Sequence, residues 1–130
     1  MIVVDTSALF AILAQEPERA TFVEAIATAE CCVISAATHV EIGVVISSRY
    51  GPAGLHYLST FLSRAGIETR LVDAEIAESA ISAYRRFGKG THPAGLNFGD
   101  CFSYALAHAL DAPLLFKGDD FSKTDIKRAV

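Results

Sequence analysis

The chain has 130 residues, of which 52% are hydrophobic and 20% are charged. This balance predicts one domain spanning residues 1–130 and excludes a largely disordered chain. The formal net charge of −4 argues against bulk attraction to nucleic acid, so a polyanion would have to be bound locally or through a cation.

Short apolar runs alternate with helical patterns along the chain. The continuous apolar runs Ile2–Val4 and Cys31–Ile34 are predicted to be strands, and Glu68–Val72 and Pro113–Phe116 are the next candidates. Apolar residues recur at helical spacing between these runs, and one helix is expected to start at Gly51-Pro52 and to end at Gly66. This alternation predicts an α/β fold, a three-layer α/β/α sandwich with a central, mostly parallel sheet.

The sequence argues against a membrane protein, a secreted protein and a zinc-binding protein. No apolar run approaches the roughly 20 residues that a membrane-spanning helix needs. The N-terminal residues MIVVD have no basic region and no cleavage site, so we expect a cytoplasmic protein with no membrane partner. Cys31, Cys32 and Cys101 lack zinc-binding spacing and are expected to be reduced core residues.

Acidic residues follow the predicted strands. Asp5 comes directly after the first strand, Glu41 lies early in the helix after the second, and Asp100 opens a later helix. Asp119 and Asp120 follow the last strand. Because the carboxyl ends of parallel strands meet at one edge of a sheet, we expect all these acids to lie along that edge.

Each acid also has a purely structural explanation. Asp5 suits the N-cap of the helix that follows it. Thr38 and Glu41, and likewise Asn97 and Asp100, have the spacing of a capping box. The two acids after the last strand suit an ordinary turn. Taken one at a time, these acids therefore do not require a functional site.

Taken together, the acids favour a metal site. Carboxylates that converge within about 4–6 Å repel one another unless a cation lies among them. A set of oxygen ligands without histidine or cysteine partners favours Mg²⁺ or Mn²⁺ over zinc. Magnesium retains several waters and leaves room for phosphate oxygens, so phosphodiester hydrolysis is the predicted chemistry.

Four segments resemble those of a known family. They are residues 2–8 (IVVDTSA), 38–41 (THVE), 96–107 (LNFGDCFSYALA), and 114–121 (LLFKGDDF) with 124–126 (TDI). Each segment is short, but together and in this order they resemble PIN-domain proteins. The similarity is greatest to the VapC ribonuclease toxins of prokaryotic toxin–antitoxin pairs.

The resemblance implies roles for particular acids. Asp5, Glu41 and Asp100 match the three family acids that bind metal and act in catalysis. The fourth family acid falls at Asp119 or Asp120, because the usual family spelling TxDxDF is replaced here by KGDDF. Asp119 is the preferred match, with Asp120 as its competitor.

The resemblance also implies a mechanism and partners. Asp5 and Asp100 would hold Mg²⁺ directly, with Glu41 and Asp119 completing the site through water or a second ion, and a metal-activated water would cut RNA. Ser7 matches a hydroxyl position that lies beside the family site. The implied partners are an RNA substrate, a VapB-type antitoxin and a second copy of the chain in a homodimer.

Substrate contacts and alternative functions remain open. Arg85, Arg86 and Lys89 lead into a glycine-rich loop and could contact phosphates or simply form a solvated face. One alternative is a PIN-like module that binds RNA without cutting it. Another is a different magnesium-dependent α/β phosphotransfer protein, with Asp5 as its nucleophile.

Overall fold

A four-stranded parallel sheet forms the centre of the computed structural model, which describes all residues 1–130. Its strands are β1 (Ile2–Val4), β2 (Cys32–Ser35), β3 (Ile67–Arg70) and β4 (Leu114–Leu115). The spatial order is β3-β2-β1-β4, and each neighbouring pair runs parallel. The predicted α/β class is therefore confirmed.

Five helices surround the sheet. They are α1 (Thr6–Leu13), α2 (Arg19–Thr28), α3 (Ala36–Arg64), α4 (Ala74–Phe87) and α5 (Phe98–Leu110), and a short 3-10 turn follows at Phe121–Lys123. None of these helices has the length and apolar character needed to cross a lipid bilayer.

The sheet is covered on both faces, as the continuous apolar strands predict. In β1, Ile2 and Val4 join one buried cluster of 17 residues, whereas Val3 joins a second cluster of 16 residues. Residues from α1, α2 and α3 pack in the first cluster, and residues from α4 and α5 pack in the second. Since successive side chains of a strand point to opposite faces, these clusters are the two sides of a three-layer sandwich.

The long helix α3 is broken at Gly51. This residue has φ 64° and ψ −157°, which is not helical, and Pro52 then begins the second half of the helix. Proline suits the first turn of a helix because its missing N–H has no partner there. The predicted start at Gly51-Pro52 is thus confirmed, and Gly66, with φ 66°, follows the end of this helix as expected.

The third strand differs slightly from its prediction. It covers Ile67–Arg70 instead of Glu68–Val72, and it lies at an edge of the sheet with Glu68 exposed. Buried Ile67 pairs with Cys32, and this contact fixes where the strand begins.

Parallel pairing brings the strand ends to one edge of the sheet. The backbone N–H of Asp5 donates to the carbonyl of Leu115, 2.9 Å away, so the residue after β1 is joined to the end of β4. The helix α3 begins directly after Ser35, the last residue of β2. The acids that follow β1, β2 and β4 are consequently carried on segments that leave the same edge.

Candidate active site

Asp5 is a buried carboxylate at the end of β1, with only 3% of its surface exposed. One oxygen, Oδ2, accepts hydrogen bonds from the backbone N–H of Ser7 at 3.0 Å and from its hydroxyl at 2.7 Å. The other oxygen, Oδ1, accepts a hydrogen bond from the hydroxyl of Ser103 at 2.6 Å. Asp5 therefore caps α1, as its structural explanation required, and it is also held rigidly from a second helix.

Glu41 is held by α1 and is not part of a capping box. The N-cap of α3 is Ser35, whose hydroxyl accepts a hydrogen bond from the N–H of Ala37, so the capping-box explanation of Glu41 is wrong. Glu41 is half-buried, and its Oε1 accepts a hydrogen bond of 2.5 Å from the hydroxyl of Thr6. Thr38 is buried and pairs with the hydroxyl of Ser103 at 3.2 Å.

Asp100 lies in the first turn of α5 and forms the predicted capping box with Asn97. Its N–H donates to Oδ1 of Asn97 at 2.9 Å, and its Oδ2 accepts from the N–H of Asn97 at 3.0 Å. Its second oxygen, Oδ1, takes part in no hydrogen bond or ion pair. Asp100 is thus a capping-box residue with one carboxylate oxygen free of hydrogen bonds.

The pKa of Asp100 reflects its burial first and the neighbouring acids second. Burial raises this pKa from 3.8 to about 7, against the lowering effect of the backbone hydrogen bond from Asn97. The negative charges of Asp5, Asp120 and Glu41 raise it further. We call Asp5, Glu41, Asp100 and Asp120 the carboxylate cluster, since their charges act on one site.

Asp119 and Asp120 differ in whether their charge acts on Asp100. Both are exposed, both follow β4, and neither carboxylate forms a hydrogen bond or an ion pair. The charge of Asp120 acts on Asp100, whereas Asp119 is not among the residues that shift the pKa of Asp100. The backbone carbonyl of Asp119 instead accepts the hydroxyl of Ser122 at 2.6 Å.

Ser7 joins the carboxylate cluster to the segment after β4. Its hydroxyl donates to Asp5 and accepts a hydrogen bond of 3.0 Å from the N–H of Lys117. The Lys117 ammonium turns away to Glu16 and Glu18, at 3.3 Å and 2.9 Å. The lysine nearest in sequence to the last acids is thus paired outside the cluster.

The cluster suits a hard divalent cation. All its donors are carboxylate oxygens, the ligands that Mg²⁺ and Mn²⁺ prefer. No three Asp, Glu, His or Cys side chains are already arranged to hold an ion among them. Magnesium is commonly bound through one or two carboxylates and keeps several of its waters, so it does not require three ligating side chains.

No hydrogen bond or ion pair joins the three basic residues singled out in the sequence to the cluster. Arg86 pairs with Asp125 at 3.5 Å and lies 4.7 Å from the ring centroid of Phe87, so it helps to fasten the C-terminal segment. Arg85 borders an apolar groove between α4 and α5, and Lys89 is exposed without an ion pair.

Three hydroxyl residues at the site are not apparent from the sequence. Thr6 donates a hydrogen bond to Glu41, Ser103 donates one to Asp5, and Thr38 is hydrogen-bonded to Ser103. One signal was available, because Ser103 is a polar residue in an apolar helix and lies one turn beyond Asp100 on the same face. Thr38 lies one turn before Glu41 on α3.

Comparison with known proteins agrees with this architecture. The sequence model of the PIN domain family matches residues 2–127. Ribonuclease VapC of Mycolicibacterium smegmatis is 49% identical over 125 residues, which cover 96% of this chain and 97% of that protein. Ribonuclease VapC30 of Mycobacterium tuberculosis is 46% identical over 125 residues, covering 96% and 95%.

Solved structures show the same fold. The crystal structure of VapC20 of Mycobacterium tuberculosis, described as a sarcin-ricin loop cleaving toxin, superposes with a TM-score of 0.79 at 19% identity and covers 97% of this chain and 96% of its own. A toxin–antitoxin complex from Klebsiella pneumoniae has a TM-score of 0.75 at 19% identity, covering 96% and 93%. With these matches over nearly its whole length, the chain belongs to the PIN-domain family and, within it, to the VapC ribonuclease toxins.

Proposed function

We propose that the chain is a metal-dependent endoribonuclease, the toxin of a toxin–antitoxin pair, and that the carboxylate cluster is its active site. The observation that carries this proposal is the proximity of the acids, because the Glu41 carboxylate lies against Gly99, next to Asp100, and the charges of Asp5, Glu41 and Asp120 act on Asp100. Like charges held this close favour the binding of a cation. Relatives nearly half identical to the chain are named as ribonucleases, which supports RNA as the substrate.

Asp5 and Asp100 are the proposed direct ligands of Mg²⁺ or Mn²⁺. Asp100 has a free Oδ1, and Oδ1 of Asp5 accepts only one hydrogen bond and retains a lone pair. When bound, the ion lowers the pKa of a coordinated water and offsets charge on the scissile phosphate. Ser7 and Ser103 keep the Asp5 carboxylate in one orientation, so this side chain needs little further ordering when the metal ion binds.

Glu41 is the proposed residue for handling the attacking water. Its Oε1 is occupied by Thr6, whereas its Oε2 is not engaged in a hydrogen bond and can orient a water or accept its proton. Trapping a phospho-aspartate at Asp5 would instead support the alternative in which Asp5 is a phosphotransfer nucleophile.

The decisive experiment is cleavage of end-labelled RNA with Mg²⁺, with Mn²⁺ and with EDTA. We expect cutting only with metal, and loss of cutting in Asp5→Asn and Asp100→Asn. Asp111→Asn is a matched control, because it removes the same charge at the opposite end of α5. Metal binding and RNA binding without any cleavage would instead support the non-catalytic RNA-binding module.

The fourth acid is proposed to be Asp120, although the family spelling favours Asp119. The support is electrostatic, since the charge of Asp120 contributes to the pKa of Asp100. The pair Asp119→Asn and Asp120→Asn provides its own control, because both residues are exposed neighbours. We expect only Asp120→Asn to weaken Mn²⁺ binding and cleavage, and the reverse ranking would assign the role to Asp119.

A VapB-type antitoxin and a second copy of the chain are the proposed protein partners. Two solved structures of the same fold are described as toxin–antitoxin complexes or as VapBC bound to DNA. Large apolar side chains are exposed here, including Leu71 at 83% and Phe98 at 78%. Co-expression with the product of the neighbouring gene should yield a complex without ribonuclease activity, and light scattering should give the mass of a dimer for the free chain.

A further inference from the structure

The carboxylate of Glu41 lies directly against the backbone of Gly99. A Cβ atom built on Gly99 would be 2.3 Å from Oε2 of Glu41 and 2.7 Å from both its Cδ and its Oε1. Such separations are well inside van der Waals contact, so any side chain at position 99 would displace the carboxylate. Residue 99 immediately precedes Asp100, and the contact therefore joins Glu41 to the residue next to a proposed metal ligand.

Backbone conformation does not account for glycine at this position. Gly99 lies within α5 and is absent from the residues with positive φ. In a helix, glycine is about 1 kcal/mol less favourable than alanine. The space that the Glu41 carboxylate occupies is the feature that calls for glycine here.

The opposite side of the carboxylate is fixed by α1. Thr6 donates its hydroxyl to Oε1 of Glu41 at 2.5 Å, while Gly99 bounds the carboxylate from the first turn of α5. The start of a helix also favours negative charge, because its first N–H groups lack helical partners. Glu41 is thus confined between two other helices although it is carried by α3.

We propose that Gly99 is a positioning residue, whose missing side chain lets Glu41 place its carboxylate beside Asp100. This inference rests on the proposed function of Glu41 and extends it to a residue that touches neither metal nor RNA. A methyl group at position 99 pushes the end of a flexible side chain and not a rigid backbone. The fold therefore tolerates Gly99→Ala, while the geometry of the site does not.

The test is Gly99→Ala with Gly43→Ala as its control. Gly43 is also a helical glycine, two residues from Glu41, but its nearest neighbour to an added Cβ is 4.0 Å away. We expect Gly99→Ala to unfold in EDTA at a temperature no lower than wild type. Its kcat for RNA cleavage should fall about 10- to 100-fold. Its affinity for Mn²⁺, measured by calorimetry or electron paramagnetic resonance, should fall about tenfold, whereas Gly43→Ala should match wild type in both assays.

A second variant separates positioning from simple damage. Glu41→Asp shortens the side chain by one carbon–carbon bond, about 1.5 Å, and so withdraws the carboxylate from an added methyl group. The double variant Gly99→Ala/Glu41→Asp should bind Mn²⁺ better than the product of the two single losses predicts. Additive losses would overturn the proposal, as would wild-type cleavage and Mn²⁺ affinity in Gly99→Ala.

These measurements also distinguish this inference from the proposed function. If the wild-type chain binds Mn²⁺ but cuts no RNA, the proposed function fails and the Mn²⁺ titrations of the variants still decide the role of Gly99. If wild type cuts RNA and Gly99→Ala behaves like Gly43→Ala, only the role of Gly99 is refuted.

Discussion

Replacing Asp100 by asparagine should stabilise the metal-free protein at alkaline pH while it removes a metal ligand. The pKa of Asp100 is about 7 in the folded chain, mainly because of burial, against 3.8 for an ordinary aspartate. The folded chain therefore binds this proton more tightly than the unfolded chain does. The contribution of the Asp100 proton to stability is therefore fully present below pH 3.8 and is lost as the pH rises through about 7.

The size of the effect follows from the two pKa values. A difference of about three units corresponds to about 4 kcal/mol in the free energy of unfolding. Asp100 is only partly buried, so solvent screening reduces this to about 2 kcal/mol. Asparagine carries no charge, and its amide oxygen can still accept the N–H of Asn97. We expect Asp100→Asn to exceed wild type by about 2 kcal/mol at pH 8 and by less than about 0.5 kcal/mol at pH 4.

Urea unfolding in EDTA at pH 4, 6 and 8 provides the measurement. Asp111→Asn is the control, because Asp111 ends α5 in a left-handed conformation with φ 47°, which asparagine tolerates. A stability difference between Asp100→Asn and wild type that does not change with pH would refute the reasoning. The same variant should no longer gain stability from added Mg²⁺, whereas wild type should.

Three further substitutions test other parts of the structure. Ser103→Ala removes the 2.6 Å hydrogen bond to buried Asp5 and should lower the free energy of unfolding by about 1–3 kcal/mol, with weaker Mn²⁺ binding measured by calorimetry. Gly54→Ala places a Cβ 2.6 Å from a side-chain carbon of the turn before the helix break, and should cost about 1–3 kcal/mol in urea unfolding without changing Mn²⁺ affinity. Tyr104→Phe removes the hydrogen bond to Asp125 that holds the pKa of that carboxyl below its usual range. Proteolysis of the C-terminal segment should then become faster at neutral pH, and the difference from wild type should shrink as the acid protonates at low pH.

Much of the fold follows from local sequence patterns. The apolar runs predicted at Ile2–Val4 and Pro113–Phe116 are short and each is followed by a charged residue, Asp5 or Lys117, so the strands Ile2–Val4 and Leu114–Leu115 are recognisable without tertiary information. The break of α3 follows from Gly51-Pro52 in the same way. The limits of β3 do not, because they depend on how Ile67 pairs with Cys32 across the sheet.

The geometry of the site is harder to predict from the sequence, because it depends on contacts between residues that are far apart in the chain. Thr38 and Glu41 have capping-box spacing, but the end of β2 makes Ser35 the helix cap and leaves both residues free for other partners. Ser103 binds Asp5 from 98 positions away, a contact that only the packing of α5 on the sheet reveals. Side-chain spacing in one segment carries no information about such contacts.

The hydroxyl groups around Asp5 connect four separate parts of the chain. Thr38 on α3, Ser103 on α5, Ser7 on α1 and the N–H of Lys117 after β4 form one continuous hydrogen-bonded chain through the Asp5 carboxylate. These hydrogen bonds are made by the protein's own groups, so we expect metal binding not to be coupled to folding of these segments. Calorimetry of Mn²⁺ binding should consequently show a small heat-capacity change, since little apolar surface is left to be buried when the ion arrives.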